Sequence, residues 1–347
     1  MSLIYNATFD KNTRKLSFED KAGNEIYSFT VPERGPAVDD ITKPLTLRAT
    51  QDGSSVRLTK NGSPDGSFQT SMDGGNTWVD YTIDTAITLN TGDKVSFRAK
   101  SDRTSAQAYT KYFYFEMTGK IEAWHNVMSL YRTNDFATYK TAMDYAFNHL
   151  FEGCTSLVKA PVLPATTLAQ NCYQYMFSGC NSLTKAPELP ATTLAQNCYA
   201  SMFSGCQSLT KAPELPATTL TRAFYCYSDM FSGCQSLTKA PELPATTLDK
   251  GCYLYMFDRC QSLTKAPELP ATTLVYGCYS YMFSRCQSLK EVRISATTTA
   301  TDALYTWLED VSATGDFYCD PNATIFPTGK SGIPENWTRH DIADYPN

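Results

Sequence analysis

The sequence predicts a modular chain, with all-β units at its N-terminus followed by a capped α/β solenoid of short strands and short helices. Two observations carry that prediction. Near-copies of one sentence recur through the second half: CYQYMFSGCNSLTKAPELPATTL (172–194), CYASMFSGCQSLTKAPELPATTL (198–220) and CYSDMFSGCQSLTKAPELPATTL (226–248). Ahead of them, short β-branched and aromatic runs alternate with Asn-Gly and Asp-Gly turns. Self-similarity at a fixed period of roughly 20 to 50 residues marks units that bury their apolar faces against one another.

At 347 residues the chain is longer than one usual globular domain. Residues 1–36 read as a β-meander with strands at 3–9, 15–19 and 25–31, ended by a Pro- and Gly-bearing linker at 32–36. Residues 37–118 carry seven strand candidates, at 45–49, 56–60, 67–71, 78–81, 86–89, 94–99 and 109–117. Short strands at about ten-residue spacing suggest a β-sandwich of immunoglobulin-like type. Residues 119–347 then hold the solenoid and its caps. A degenerate copy with Ala146, Phe147, Leu150, Phe151 and Cys154 is expected to cap its start. A short helix over 303–311, a strand at 315–318 and the run Gly-Ile-Pro-Glu-Asn-Trp close its end.

Within one repeat, Cys172, Tyr173, Met176, Phe177 and Cys180 stand at offsets of 0, 1, 4, 5 and 8. At about 100° per residue these share an arc of roughly 140°, which predicts a two-turn helix ended near Gly179. Leu183 and Leu189 follow on an extended stretch. Pro187 and Pro190 lack ladder donors, so regular pairing is expected only around residues 184–186. Residues 191–194 turn the chain back, with Leu194 buried.

The string MFSGCxSLTKAPELPATTL resembles the BspA-type leucine-rich repeats, the 26-residue repeat of bacterial surface proteins. The resemblance covers residues 139–294. It implies a right-handed solenoid, display on the cell surface and adhesion to host or matrix molecules, with no catalytic residues to carry over. Two prolines per repeat depart from relatives that place β-branched residues there, which argues against a long regular parallel sheet.

Eleven of the twelve cysteines fall in two repeat columns, and only Cys319 stands outside. Stacked equivalents about 5 Å apart point the same way, whereas a disulfide needs converging side chains. Buried, reduced thiols are expected, with scattered bridges as the alternative. No CxxC pair occurs and His125, His149 and His340 lie outside the columns, so no metal site and no cofactor are expected.

The formal charge of −5, from 30 basic and 35 acidic residues, leaves no footprint for nucleic acid. No window has the apolar length of a membrane helix and residues 1–10 do not read as an export signal, so membrane insertion is not expected. Residues 71–78, Ser-Met-Asp-Gly-Gly-Asn-Thr-Trp, resemble the Asp-box of sialidases and other β-proteins. That motif implies a structural hairpin turn in which Asp73 accepts backbone hydrogen bonds. No P-loop, GxGxxG, HExxH or GxSxG is present, so the chain is read as non-enzymatic.

The columns that differ between copies offer the candidate contact surface: Tyr175, Arg222, Tyr225, Asp229, Lys250, Tyr255, Arg259, Tyr276, Tyr281 and Arg285. Variable positions read as exposed, and Tyr and Arg are favoured in contacts; ordinary solvated faces are the competing reading. The Lys185, Lys211, Lys239 and Lys265 column beside Glu188, Glu214, Glu242 and Glu268 reads as a mutually compensating solvated face, with a charged ligand site as the alternative. The expected role is extracellular or cell-surface adhesion, through protein–protein or protein–glycan contact with a host or matrix partner. A structural part in a phage tail or similar assembly is the alternative.

Overall fold

The computed structural model describes residues 6–10, 15–19, 25–30, 39–103 and 108–345. The chain forms two compact units, Met1–Asp39 and Asp40–Asn347. In the first, β1 (Asn6–Asp10), β2 (Lys15–Glu19) and β3 (Glu25–Thr30) form an antiparallel sheet in the order β1-β2-β3. The linker expected at 32–36 and the hairpin turns on either side of β2 lie outside the described residues.

The second unit opens with all seven expected strands. They are β4 (Thr46–Ala49), β5 (Ser54–Asn61), β6 (Phe68–Ser71), β7 (Val79–Tyr81), β8 (Ile87–Leu89), β9 (Lys94–Ala99) and β10 (Tyr112–Thr118). Strand β11 (Ile121–Trp124) follows, and β12 (Leu157–Lys159) lies within the first repeat. One sheet runs β10-β5-β8 and the other β12-β11-β4-β9-β6-β7. Edge-on ring pairs Phe68–Phe113 (4.8 Å) and Phe97–Phe115 (5.1 Å) join them, because alternate residues of each strand face the same interior. Between β6 and β7 the Asp73 carboxylate accepts the Asn76 and Thr77 amides, both at 3.0 Å, as the Asp-box resemblance implies.

Strand β12 pairs parallel with β11, so the larger sheet continues into the repeats. There the expected two-turn helices do not form. Among the described residues the helices are single 3-10 turns at Val127–Leu130 and Ile342–Asp344, and of the helix expected over 303–311, residues 303–310 are turns as well. The chain is mostly strands and turns, so the α part of the expected α/β class is corrected.

The backbone hydrogen bonds give the reason. Even-numbered amides of 171–180 bond back three residues, as Met176 does to Tyr173 (3.2 Å) and Cys180 to Phe177 (3.0 Å). Odd-numbered amides instead bond to carbonyls of the next repeat: Tyr173 to Cys198 (3.0 Å), Tyr175 to Ala200 (3.0 Å) and Phe177 to Met202 (2.9 Å). Every second turn places its third residue at positive φ, as a type II turn requires: Asn171 (56°), Tyr175 (57°) and Gly179 (72°). The offsets 0, 1, 4, 5 and 8 are therefore a period of four, close enough to 3.6 to mimic a helix over nine residues. An α-helix would direct its amides into its own carbonyls and forfeit the bonds between repeats.

The remainder of each repeat is extended but sparsely paired. Isolated parallel bridges join Lys185 to Lys211, Thr167 to Thr193 and Thr219 to Thr247, which fits the limit set by the prolines. At the far end β13 (Thr273–Leu274) pairs parallel with β15 (Thr298–Thr299). Strands β14 (Glu291–Arg293), β16 (Gly315–Cys319) and β17 (Trp337–Asp341) form a parallel sheet, and the Trp307 indole donates to the Gly332 carbonyl (3.1 Å).

Equivalent core side chains stack without a break. Phe151, Phe177, Phe203, Phe231, Phe257 and Phe283 lie face to face at 5.5 to 5.7 Å, and Phe115 of β10 extends the column at 5.3 Å. Each fully buried Leu, Met or Phe stabilises by about 1.5–3 kcal/mol, too little for one repeat to offset its own ordering entropy. Stability is thus a property of the stack. All twelve cysteines are buried and free, the eleven in the two columns as the stacking argument expects.

Candidate ligand-binding surface on the turn face

Because the turns recur every four residues, the first, fifth and ninth residues of each ten-residue run sit at positive φ. The first column reads Tyr145, Asn171, Asn197, Tyr225, Gly251, Gly277, Asp302; the fifth reads His149, Tyr175, Ser201, Asp229, Tyr255, Tyr281, Thr306. The ninth reads Gly153, Gly179, Gly205, Gly233, Arg259, Arg285, Asp310. Left-handed backbone costs an L-residue roughly 1–2 kcal/mol, a strain glycine escapes. Eight of the ten candidate residues adopt it: Tyr175, Arg222, Tyr225, Asp229, Tyr255, Arg259, Tyr281 and Arg285.

Nine of the ten candidates gather on repeats spanning residues 222–285. Tyr225, Tyr276 and Tyr281 line a cleft of about 270 Å³ together with Gly251, Gly277 and Tyr305. Tyr225 lies across Gly251, where an added Cβ would stand 2.2 Å from the ring. The Lys250 ammonium sits 5.2 Å from the Tyr276 ring centre and 5.9 Å from that of Tyr225. Tyr281 stacks on Tyr255 at 4.3 Å and meets Tyr305 edge-on at 5.3 Å. Burial, then the neighbouring Tyr281, pushes the Tyr255 hydroxyl up to about 12.

Charged groups flank these rings. Asp258, with only 5% of its side chain exposed, takes Arg285 at 3.2 Å and Arg259 at 3.6 Å. Burial raises its carboxyl, and the two guanidinium groups work against that rise. Asp229 is likewise raised by burial, while the Ser228 hydroxyl at 2.7 Å opposes it. Arg222 is exposed, and its amide donates to the Asp249 carboxylate (2.7 Å), which also accepts the Lys250 amide (2.7 Å).

Tyr175 stands apart from this group. It stacks on His149 (4.9 Å), which stacks on Tyr112 of β10 (4.3 Å), and Ser201 and Asp229 separate it from Tyr255 along the column. Tyr305 and Asp302 escaped the sequence reading, whereas Gly277 falls in one of the variable columns. Tyr305 and Asp302 lie in the last repeat, which has lost the Cys-Tyr pair. Recognising the four-residue period would have exposed both.

The opposite columns behave differently. Lys211, Glu214, Lys239 and Glu242 border a second cleft of about 440 Å³ with the prolines between them. Contact ion pairs form at the C-terminal end, where Lys265 meets Glu291 (2.9 Å) and Arg293 meets Glu268 (3.2 Å). Among the described residues these columns form contact ion pairs at that end alone, with Glu291 and Arg293 as partners and not with each other. No group of His, Cys, Asp and Glu suited to a metal ion occurs among the described residues, and no helix there is long and apolar enough to cross a membrane.

Comparison with known proteins agrees with the repeat geometry. A family model described as BspA type leucine rich repeat region matches in six copies, over residues 135–241 and 219–306. No curated protein and no solved structure matches the chain. With the cysteine, leucine and aromatic columns in place across the matched residues, the chain belongs to the BspA-type leucine-rich repeat family.

Proposed function

We propose that this chain is a non-enzymatic, surface-displayed binding protein whose repeats form a solenoid and present their turn face to a protein or glycan on a host or matrix surface. Residues 37–118 serve in this reading as an immunoglobulin-like β-sandwich that carries the repeats, and residues 1–36 as a separate small meander. Repeats of this family suggest protein–protein binding and cell-surface or secreted proteins. One observation carries the assignment to the turn face. Tyr225, Arg259 and Arg285 occupy left-handed backbone positions that other repeats give to Gly or Asn, and Tyr255 and Tyr281 occupy a left-handed column that holds Ser201, Asp229 and Thr306 in other repeats. Backbone strain of this sort concentrates where side chains are kept for function rather than for folding.

The test is an array of matrix proteins and glycans probed with the intact chain and with the double variant Lys250→Ala/Tyr276→Ala. Both residues are exposed, Tyr276 by 51%, so the fold should be unaffected. At least tenfold weaker binding by the variant is expected. Equal binding by both proteins would move recognition elsewhere, and an array with no binding would reject the adhesion role.

A further inference from the structure

We propose that the cleft between Tyr225 and Tyr305 receives one neutral pyranose ring, the exposed end of a glycan. This rests on the binding reading above and names its ligand class. The cleft exists because the first column carries glycine at 251 and 277. Gly251 is needed by the structure, since the Tyr225 ring covers it. Gly277 has no such neighbour: a Cβ there would meet only the Ser280 hydroxyl oxygen, at 3.9 Å, so its left-handed φ of 64° is the one constraint on the residue. Nothing among the described residues fills that space, yet Tyr276 (51% exposed) and Tyr305 (48% exposed) stand at its edge.

Size, surface and charge then select the ligand. About 270 Å³ falls just below the usual range for small-molecule pockets, which suits a single ring better than an extended chain. Tyrosine faces carry negative quadrupole density that attracts the C–H face of a sugar. The exposed Asp302 carboxylate at the cleft can accept sugar hydroxyls. Asp302 lines the cleft, the Lys250 ammonium lies near the Tyr225 and Tyr276 rings, and the charged groups beyond them are of both signs, so neither a charged sugar nor a cationic side chain gains a clear advantage.

Saturation-transfer NMR of the full chain tests this, using methyl glycosides of neutral hexoses and N-acetylhexosamines, the matching uronic acids, and short proline- and aromatic-containing peptides. Two variants accompany the parent. Gly277→Asn fills the cleft with the residue that Asn171 and Asn197 already place in this column at φ of 56° and 52°, so folding is preserved. Tyr305→Ala removes an exposed wall. At least one neutral glycoside should bind saturably, and each variant should weaken it tenfold or more with an unchanged thermal melt. Binding of no neutral glycoside, binding that ignores both variants, or peptide or uronate binding in its place overturns the inference. Array binding by the intact chain that survives Gly277→Asn overturns this site alone and leaves the adhesion role standing, whereas an array without any binding removes both.

Discussion

The Cys206 thiol donates to the Phe177 carbonyl one repeat back, at a sulfur–oxygen distance of 3.1 Å. The same bond recurs from Cys180 to Phe151 (3.0 Å), Cys234 to Phe203 (3.2 Å), Cys260 to Phe231 (3.1 Å) and Cys286 to Phe257 (3.0 Å). At the start of the stack, Cys154 bonds to Phe115 of β10 (3.0 Å), so the preceding sheet supplies what an earlier repeat would have supplied. The cysteine column thus joins neighbouring repeats through thiols rather than disulfides.

Replacing Cys206 by Ala should therefore destabilise the chain by about 1–3 kcal/mol, through the lost bond and the small void left behind. Chemical denaturation would read this as a lower midpoint. Burial also raises the Cys206 thiol to about 12, so thiol-reactive probes should label none of the columns until the chain unfolds. Fast labelling of the native protein would contradict the packing.

Gly205 isolates the strain at a turn. Its φ is 72°, and an added Cβ would meet nothing closer than 3.8 Å, an ordinary contact. Gly205→Ala should cost about 1–2 kcal/mol from backbone conformation alone. An unchanged denaturation midpoint would show that the left-handed geometry is not maintained in solution.

Tyr199 is 1% exposed, and its hydroxyl has no hydrogen-bond partner among the described residues. Burying an unpaired hydroxyl is unfavourable, so Tyr199→Phe should raise stability by about 1 kcal/mol, seen as a higher melting temperature. A fall would mean that the hydroxyl is satisfied.

Asp258 makes the stack sensitive to pH. Its folded value lies above the ordinary carboxylate value because burial outweighs Arg259 and Arg285. A raised carboxyl contributes fully below its unfolded value, and that contribution is lost as pH climbs through the folded value. Arg285 limits the loss. Arg285→Ala should cost about 1–2 kcal/mol near neutral pH, reduced because Arg285 is partly exposed, and less under acid conditions as Asp258 takes up its proton. Denaturation at the two pH values would reverse the argument if the acid condition showed the larger effect.

Phe231 and Leu215 are 0% and 3% exposed in the middle of the array. Truncating either to Ala should cost about 2–5 kcal/mol, read from the denaturation midpoint. Costs near zero would refute the continuous interior.

Much of this architecture could be read from residue identities. Seven strands of the β unit announced themselves through β-branched and aromatic runs, and Cys206, Phe203 and Leu209 through their recurrence. The helices were misread because offsets such as those of Cys172, Tyr173, Met176, Phe177 and Cys180 satisfy a period of 3.6 nearly as well as one of four. Only the destination of alternate amides separates the two, and that destination lies one repeat away.

By itself, then, the sequence determined the repeat, its buried columns and the variable positions, since all follow from side-chain chemistry recurring at a constant interval. The tertiary structure alone decided that the turns form a ladder, that Gly277 leaves a space beside Tyr305, and that Tyr175 is parted from the other candidates. Those outcomes depend on hydrogen bonds and ring contacts between residues about one repeat apart, which no local pattern encodes.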